Sequence, residues 1–599
     1  MKKMKIVTSI ISILLVVGIV SSGIYFVNKK ENGDENNNKH IVSKNKKDDW
    51  EYKGPIDDSE GFRGVINTLT GSSSQIMSSA PQMSMDSAVS MESAGNLGFS
   101  VGGAKDANNF RENIENGYFP ISTDITYNGL FYDYTFDTGM KNESNELFSP
   151  SYSTAISKDP ISNVEEYYMT VGLNSNIKES DFARKKLNLV IALDISGSMS
   201  SGLNSYYYDG PNGQKEKEEF KSKMEVANES VNILIDQLKE DDRFGMVLFD
   251  DSAYLAKPVN LISETDVEAL KEHILEIESA GGTNFEAGYK EATKLFEEYK
   301  DVDSNEYENR IIVITDAMPN YGVTSKDSLM GYVNENAIDG IYTTFIGVGV
   351  DFNTKLIEEI TNVKGANYYS VHTSKDFKER MGEQFEYMVT PLVFDLALNL
   401  ESEDYEIVAV YGSDTVNKES GSIMKVNTLF PSKSVDGEVK GGVVLLKLNK
   451  KTENDDGKLK LTVSYKDRNG EEHSNSGEIN FQDTNEEYYE NTGIRKAILL
   501  TRYVNTLKNW ILYERGEEPR FMILPVTGIM DCEFTPEEIY IMLGEHERAS
   551  VELSVSNEYK DVFENLKAYI KLENEEIQDD TLEKEIEILE KLIALGDII

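Results

Sequence analysis

At 599 residues, with 60 basic against 105 acidic side chains and a net charge of −45, the chain is too long for one core, and roughly two to four domains are expected. So acidic a surface repels nucleic acid and anionic lipid and favours cations or basic partners. One cysteine, Cys532, excludes an internal disulfide framework and a cysteine-based zinc site, and five histidines leave little for imidazole chemistry.

The chain starts "MKKMK", and Ile6 to Val27 then runs twenty-two residues without a charge before Lys29 and Lys30. A helix of that length spans roughly 33 Å, enough for a hydrocarbon core of about 30 Å. A cleavable signal has a shorter apolar core and a small-residue exit, and Ser21 to Gly23 leaves that option open. No cysteine follows, which excludes a lipoprotein anchor. The N-terminal lysines place that end in the cytoplasm. The expected location is the cell membrane, through a single span with the bulk outside, or the exterior if the signal is cleaved.

Residues 31–117 read as a flexible, low-complexity linker. The stretch to about residue 60 is rich in Asn, Asp, Glu and Lys, and residues 71–105 are mostly Gly, Ser, Ala and Met. Such compositions bury too little surface to offset their ordering entropy. Residues 118–185 are aromatic and β-branched runs broken by turn residues, and read as strands. From Lys186 to about Thr390, apolar runs ("LNLVIALDIS", "RFGMVLFD", "RIIVITDA", "IYTTFIGVGV") alternate with segments of three- and four-residue apolar spacing. That pattern predicts an α/β fold, a doubly wound parallel sheet covered on both faces. Residues 391–485 return to strands without helices, a β-sandwich-like segment that could form one sandwich with 118–185. "YYMTVGLNS" and "VFDLALNLE" would then be neighbouring strands. Residues 486–599 are helical, and their apolar positions favour packing on the body over a coiled coil.

In a doubly wound sheet, ligands bind beyond the carboxyl ends of the strands. Asp194, Ser196 and Ser198 of "LDISGSMS" stand there after the first strand. Thr283, in "SAGGTNFEAG", lies on a glycine turn before a helix, and Asp316, in "VITDAMPN", ends a later strand. Two carboxylates and three hydroxyls are thus expected to converge, with no cation near them in sequence. This is a hard-oxygen set suited to Mg²⁺, or to Ca²⁺ or Mn²⁺. So few protein ligands leave an open coordination position that an acidic group of a partner can take.

The order D-x-S-x-S, a later Gly-Thr and a strand-terminal Thr-Asp resembles the metal-ion-dependent adhesion site of von Willebrand factor type A domains, at Asp194, Ser196, Ser198, Thr283 and Asp316. The layout further resembles bacterial surface A-domain proteins of the YfbK type, some of them labelled as homologues of calcium-activated chloride channels. The resemblance implies a metal-binding module for adhesion or assembly, with a partner protein presenting an acidic residue, and no catalysis. A different class, an assembly subunit of a metal-dependent machine of the chelatase or AAA-linked type, is opposed by the N-terminal span.

Rival chemistries lack their parts. No G-x-S-x-G elbow surrounds Ser196 or Ser198, no P-loop occurs, and "GEHERAS" has no second histidine for a zinc protease. "LPVTG" at 524–528 looks like a cell-wall sorting signal, but about seventy polar residues follow it, so it reads as a short strand and turn. Tyr206, Tyr207 and Tyr208 are expected near the metal face, as a recognition loop or as exposed aromatics. Asp250 and Asp251 could make a second cation site or add negative field, and the second is the expectation.

Overall fold

Residues of strand Lys186–Asp194 alternate between two cores: Leu189, Ile191 and Leu193 enter one, and Val190 and Ala192 the other. A strand apolar at every position is one that both of its faces bury. The computed structural model describes residues 46–54 and 96–595, apart from 105, 141–146, 161, 210–220, 300–303, 413–414, 418–421, 436, 452–457, 483, 485, 517–520 and 526–537. Before the α/β unit come strands β1 (Asn96–Val101), β2 (Gly103–Ala104), β3 (Thr135–Phe136), β4 (Phe148–Lys158) and β5 (Glu165–Lys178). The unit itself holds β6 (Lys186–Asp194), β7 (Arg243–Phe249), β8 (Ala253–Leu261), β9 (Tyr307–Thr315), β10 (Ile341–Val348) and β11 (Asn367–Val371). After it come β12 (Val393–Glu401), β13 (Tyr405–Tyr411), β14 (Thr415–Asn417), β15 (Ser422–Ser432), β16 (Ser434–Val435), β17 (Glu438–Lys440), β18 (Val443–Lys450), β19 (Lys458–Lys466), β20 (Glu472–Asn480) and β21 (Tyr488–Tyr489).

The α/β sheet has the order β2-β11-β10-β9-β6-β7-β8 and is parallel except for β8. Strand β8 returns from β7 as a hairpin. Its "AKPVN" lacks the continuous apolar signal because the strand is an edge. A second, eleven-stranded antiparallel sheet joins both β-rich flanks of the α/β unit. Strand β5 serves two halves of it: residues 167–172 pair with β18, and residues near the C-terminal end pair with β1. Met169, Val171 and Leu173 share one core with Leu396, Leu398 and Leu446.

Three sequence expectations change here. Strands β5 and β12 are not neighbours, because β1 and β15 lie between them. Residues 96–117, assigned to the linker, supply β1, β2 and the helix Asn108–Glu115. Strand β1 is only six residues long and holds a Gly and a Ser, so composition hid it. Residues 46–54, also assigned to the linker, follow the β8 edge. Lys47 exchanges backbone hydrogen bonds with Glu264 and Asp266 at 2.8 Å each, Glu51 N donates to Ala256 O at 2.8 Å, and Trp50 stacks on His273. An open edge accepts such a chain. The candidate N-terminal span and the Met-rich run lie outside the described residues. Among those described, no helix is long and apolar enough to cross a membrane.

Helices Thr492–Glu514, Asn557–Ile577 and Glu583–Leu595 pack on the β-body and on the two helices of residues 108–132. Trp510, fully buried, stacks on Phe119 at 4.6 Å between ring centres. Leu582, Ile586, Leu589 and Leu592 are buried in this body. Arg111 bridges the two ends of the chain, with Asp133 at 2.7 Å and Glu585 at 2.5 Å.

Candidate metal centre

Strand β6 ends at Asp194, and the chain enters a 3-10 turn at Gly197–Ser200. Asp194 Oδ1 accepts from Ser196 N at 2.9 Å and Oδ2 from Thr315 Oγ1 at 2.6 Å. Ser196 Oγ lies 3.1 Å from Ser198 Oγ. The loop that carries Thr283 is laid across this turn: Gly197 N donates to Gly281 O at 2.9 Å, and Ala280 N to Ile195 O at 2.6 Å. Gly281 has φ +75°, and a Cβ there would press on Asp250, so the turn needs glycine. Thr283 N donates to Asn320 Oδ1 at 2.8 Å, and its carbonyl accepts from Asn320 N and Tyr321 N. Asp316 follows β9 directly, and Ala317 next to it takes a left-handed φ of 58°. A non-glycine residue in that region costs about 1 kcal/mol. Asp194, Ser196, Ser198, Thr283 and Asp316 are all buried at these strand ends.

Sequence spacing placed no cation here, and the structure corrects that. Lys223, first residue of the helix Lys223–Ile235, puts its Nζ 2.9 Å from Asp316 Oδ2 and 2.6 Å from Asp351 Oδ1, and all three side chains are fully buried. A capping box between Ser222 and Glu225 fixes the helix start that aims it. Burial disfavours the Lys223 cation, yet Asp316 and Asp351 hold its pKa above the ordinary value. Burial, and then Asp316, push the Asp194 carboxyl up to about 7. Burial, offset by Lys223, also raises Asp351, whose Oδ2 accepts from Tyr207 N at 3.1 Å.

With every group ionised, Asp316 and Asp351 face one ammonium and Asp194 faces Asp316, so the group of four carries two net negative charges. Asp316 Oδ1 is buried with no hydrogen-bond partner among the described residues. An orphaned carboxylate oxygen beside a repelled carboxylate is an acceptor set short of a cation. The donors are all oxygen, so the residues fit a hard divalent ion.

The tyrosine loop is mostly turned inward. Tyr206 and Tyr208 are buried, and only Tyr207 is exposed, at 38%. Asp250 and Asp251 brace the Thr283 loop: Asp250 O accepts from Asn284 N at 2.7 Å, and Asp251 Oδ1 from Gly282 N at 2.8 Å. Of "LPVTG", Leu524 and Pro525 end strand β22 (Phe521–Pro525), which pairs with β23 (Glu538–Met542); the rest lies outside the described residues. His372 is buried directly after β11.

Residues 189–318 match the family model described as the von Willebrand factor type A domain. That match lies within the α/β unit. Over 232 residues the chain is 25% identical to inter-alpha-trypsin inhibitor heavy chain H4 of Homo sapiens, covering 37% of this chain and 22% of that protein. Over 219 residues it is 24% identical to the uncharacterized protein YfbK of Escherichia coli (strain K12), covering 36% and 33%. The chain thus matches about a fifth to a third of the length of these relatives. Among solved structures it is similar to a von Willebrand factor type A protein from Catenulispora acidiphila, with a TM-score of 0.38 and 16% identity over 61% of this chain and 82% of that one.

Proposed function

We propose that this chain is a metal-dependent protein-binding module of the cell surface, acting in adhesion or assembly and not as an enzyme. Asp194, Ser196, Ser198, Thr283 and Asp316 would hold Mg²⁺, or Ca²⁺ or Mn²⁺ in its place. When bound, the ion supplies an outward coordination position that a carboxylate of the partner protein can take. The observation that carries this reading is the buried pair Asp194 and Asp316, whose charge Lys223 offsets only in part and whose Asp316 Oδ1 has no partner among the described residues.

Lys223 neutralises one of the negative charges behind the site, which keeps a divalent ion from being over-compensated. Asn320 clamps Thr283 through both its backbone and its side chain. In the test, surface proteins are captured on the full chain with Mg²⁺ or with chelator, beside the Asp194→Ala variant. Chelation and Asp194→Ala should each abolish capture while circular dichroism stays unchanged. Equal capture by wild type and Asp194→Ala, with or without Mg²⁺, would sink the metal bridge.

A further inference from the structure

The segment after β23 crosses the same strand-end face as a strap. Leu543 and Ala549 pack with Tyr208 and Met318. His546 Nε2 lies 2.7 Å from Thr324 O, and the His546 carbonyl accepts from Asn353 Nδ2 at 3.0 Å. Arg548, buried, donates to Phe352 O at 2.9 Å, and Ser550 N donates to Asp209 Oδ1 at 2.8 Å. The strap is thereby fastened to the tyrosine loop, to the loop after Asp316 and to the loop that holds Asp351.

Glu547 stands in the middle of it. Its Oε1 accepts from Tyr208 OH at 2.5 Å and from Asn320 Nδ2 at 2.8 Å, and its Oε2 accepts from Gly544 N at 2.6 Å. Asn320 is the side chain whose oxygen accepts from Thr283 N. A single amide thus joins Glu547 to a candidate metal ligand. Arg548 beside it turns away toward Phe352 and Tyr206, and no described cation forms an ion pair with Glu547.

We infer that Glu547 is the site's own acidic ligand, an intrachain stand-in that takes the ion's outward position while the strap is closed and yields it to a partner carboxylate when the strap lifts. This rests on the metal reading above. It makes partner binding a competition between two carboxylates, one of them tethered and therefore present at high effective concentration.

The test is a titration of the full chain with Mn²⁺, following the free ion by electron paramagnetic resonance and the strap by amide hydrogen exchange over residues 543–550. Wild type should bind Mn²⁺, and the ion should slow exchange along the strap. Glu547→Gln, a near-isosteric change on a half-buried side chain, should bind Mn²⁺ about tenfold more weakly and lose the slowing. Glu547→Asp should recover part of both. Mn²⁺ binding that is undiminished in Glu547→Gln, with strap exchange in wild type indifferent to the ion, overturns the inference and leaves the metal reading standing. Absence of Mn²⁺ binding in wild type, or binding unaltered by Asp194→Ala, overturns both.

Discussion

Lys223 has no solvent to stabilise its charge, and its two acidic partners have none either. Removing one member of a buried ion-pair group leaves uncompensated charge, at a cost of roughly 3–5 kcal/mol. Lys223→Met should therefore lower stability by about 3 kcal/mol in urea unfolding with chelator present, and millimolar Mg²⁺ should restore part of the loss by neutralising Asp316. His372 gives a separate pH signature. Neither ring nitrogen has a hydrogen-bond partner among the described residues, and burial pushes the imidazole down to about 4, against the opposing pull of Asp376. The unfolded chain then binds a proton that the folded one refuses, so His372 costs no stability above pH 6.5 and progressively more as pH falls toward 4. Urea midpoints of wild type and His372→Leu measured between pH 7 and 4 should converge or cross as pH falls; parallel curves would exclude this account. The strand-end positions of Asp194, Ser196, Ser198, Thr283 and Asp316 were legible because each sits at a turn whose residue types are fixed locally. The contacts of Lys223 with Asp316 and Asp351, and of Glu547 with Asn320, were not, since each joins segments far apart in the chain.

At the scale of elements, burial on both faces wrote β6, β7, β9 and β10 into the sequence as apolar runs. Edge position blurred β8, and brevity concealed β1. The partition of strands between the flanks carries a further expectation. Every path from β18 to β15 through the antiparallel sheet passes through β5 and β1, which residues 391–485 do not contain. That fragment alone should stay unfolded or aggregate, because its β15 and β18 each keep an open edge. Residues 186–390 hold β6 to β11 and both layers of helices; from the sheet they lose the two residue pairs that β2 makes with β11, and beside it the contacts of residues 46–54, of Asp106 with Ser370 and of the strap. They should give a cooperative thermal transition and dispersed amide resonances. A folded 391–485 fragment would show that β5 and β1 are dispensable to it.

Across the whole molecule the two ends of the chain are interleaved. Strand β1 pairs with β15, the helix at residues 108–115 is bridged by Arg111 to Glu585, and the strap from the C-terminal region closes over the A domain. The sequence showed the classes of these parts but not their interleaving, because strand order depends on pairings between residues some three hundred positions apart. That separation becomes a waiting time during synthesis. At roughly 5–20 residues per second, β1 emerges on the order of 15 to 65 s before β15 can cover it. The A domain is completed by residue 390 and can close in the interval, while the β5 edge meant for β18 stands open. A ribosome that stalls between residues 391 and 443 would therefore display a finished A domain on a chain whose β-body is still adhesive, and that window is where a chaperone would matter most to its yield.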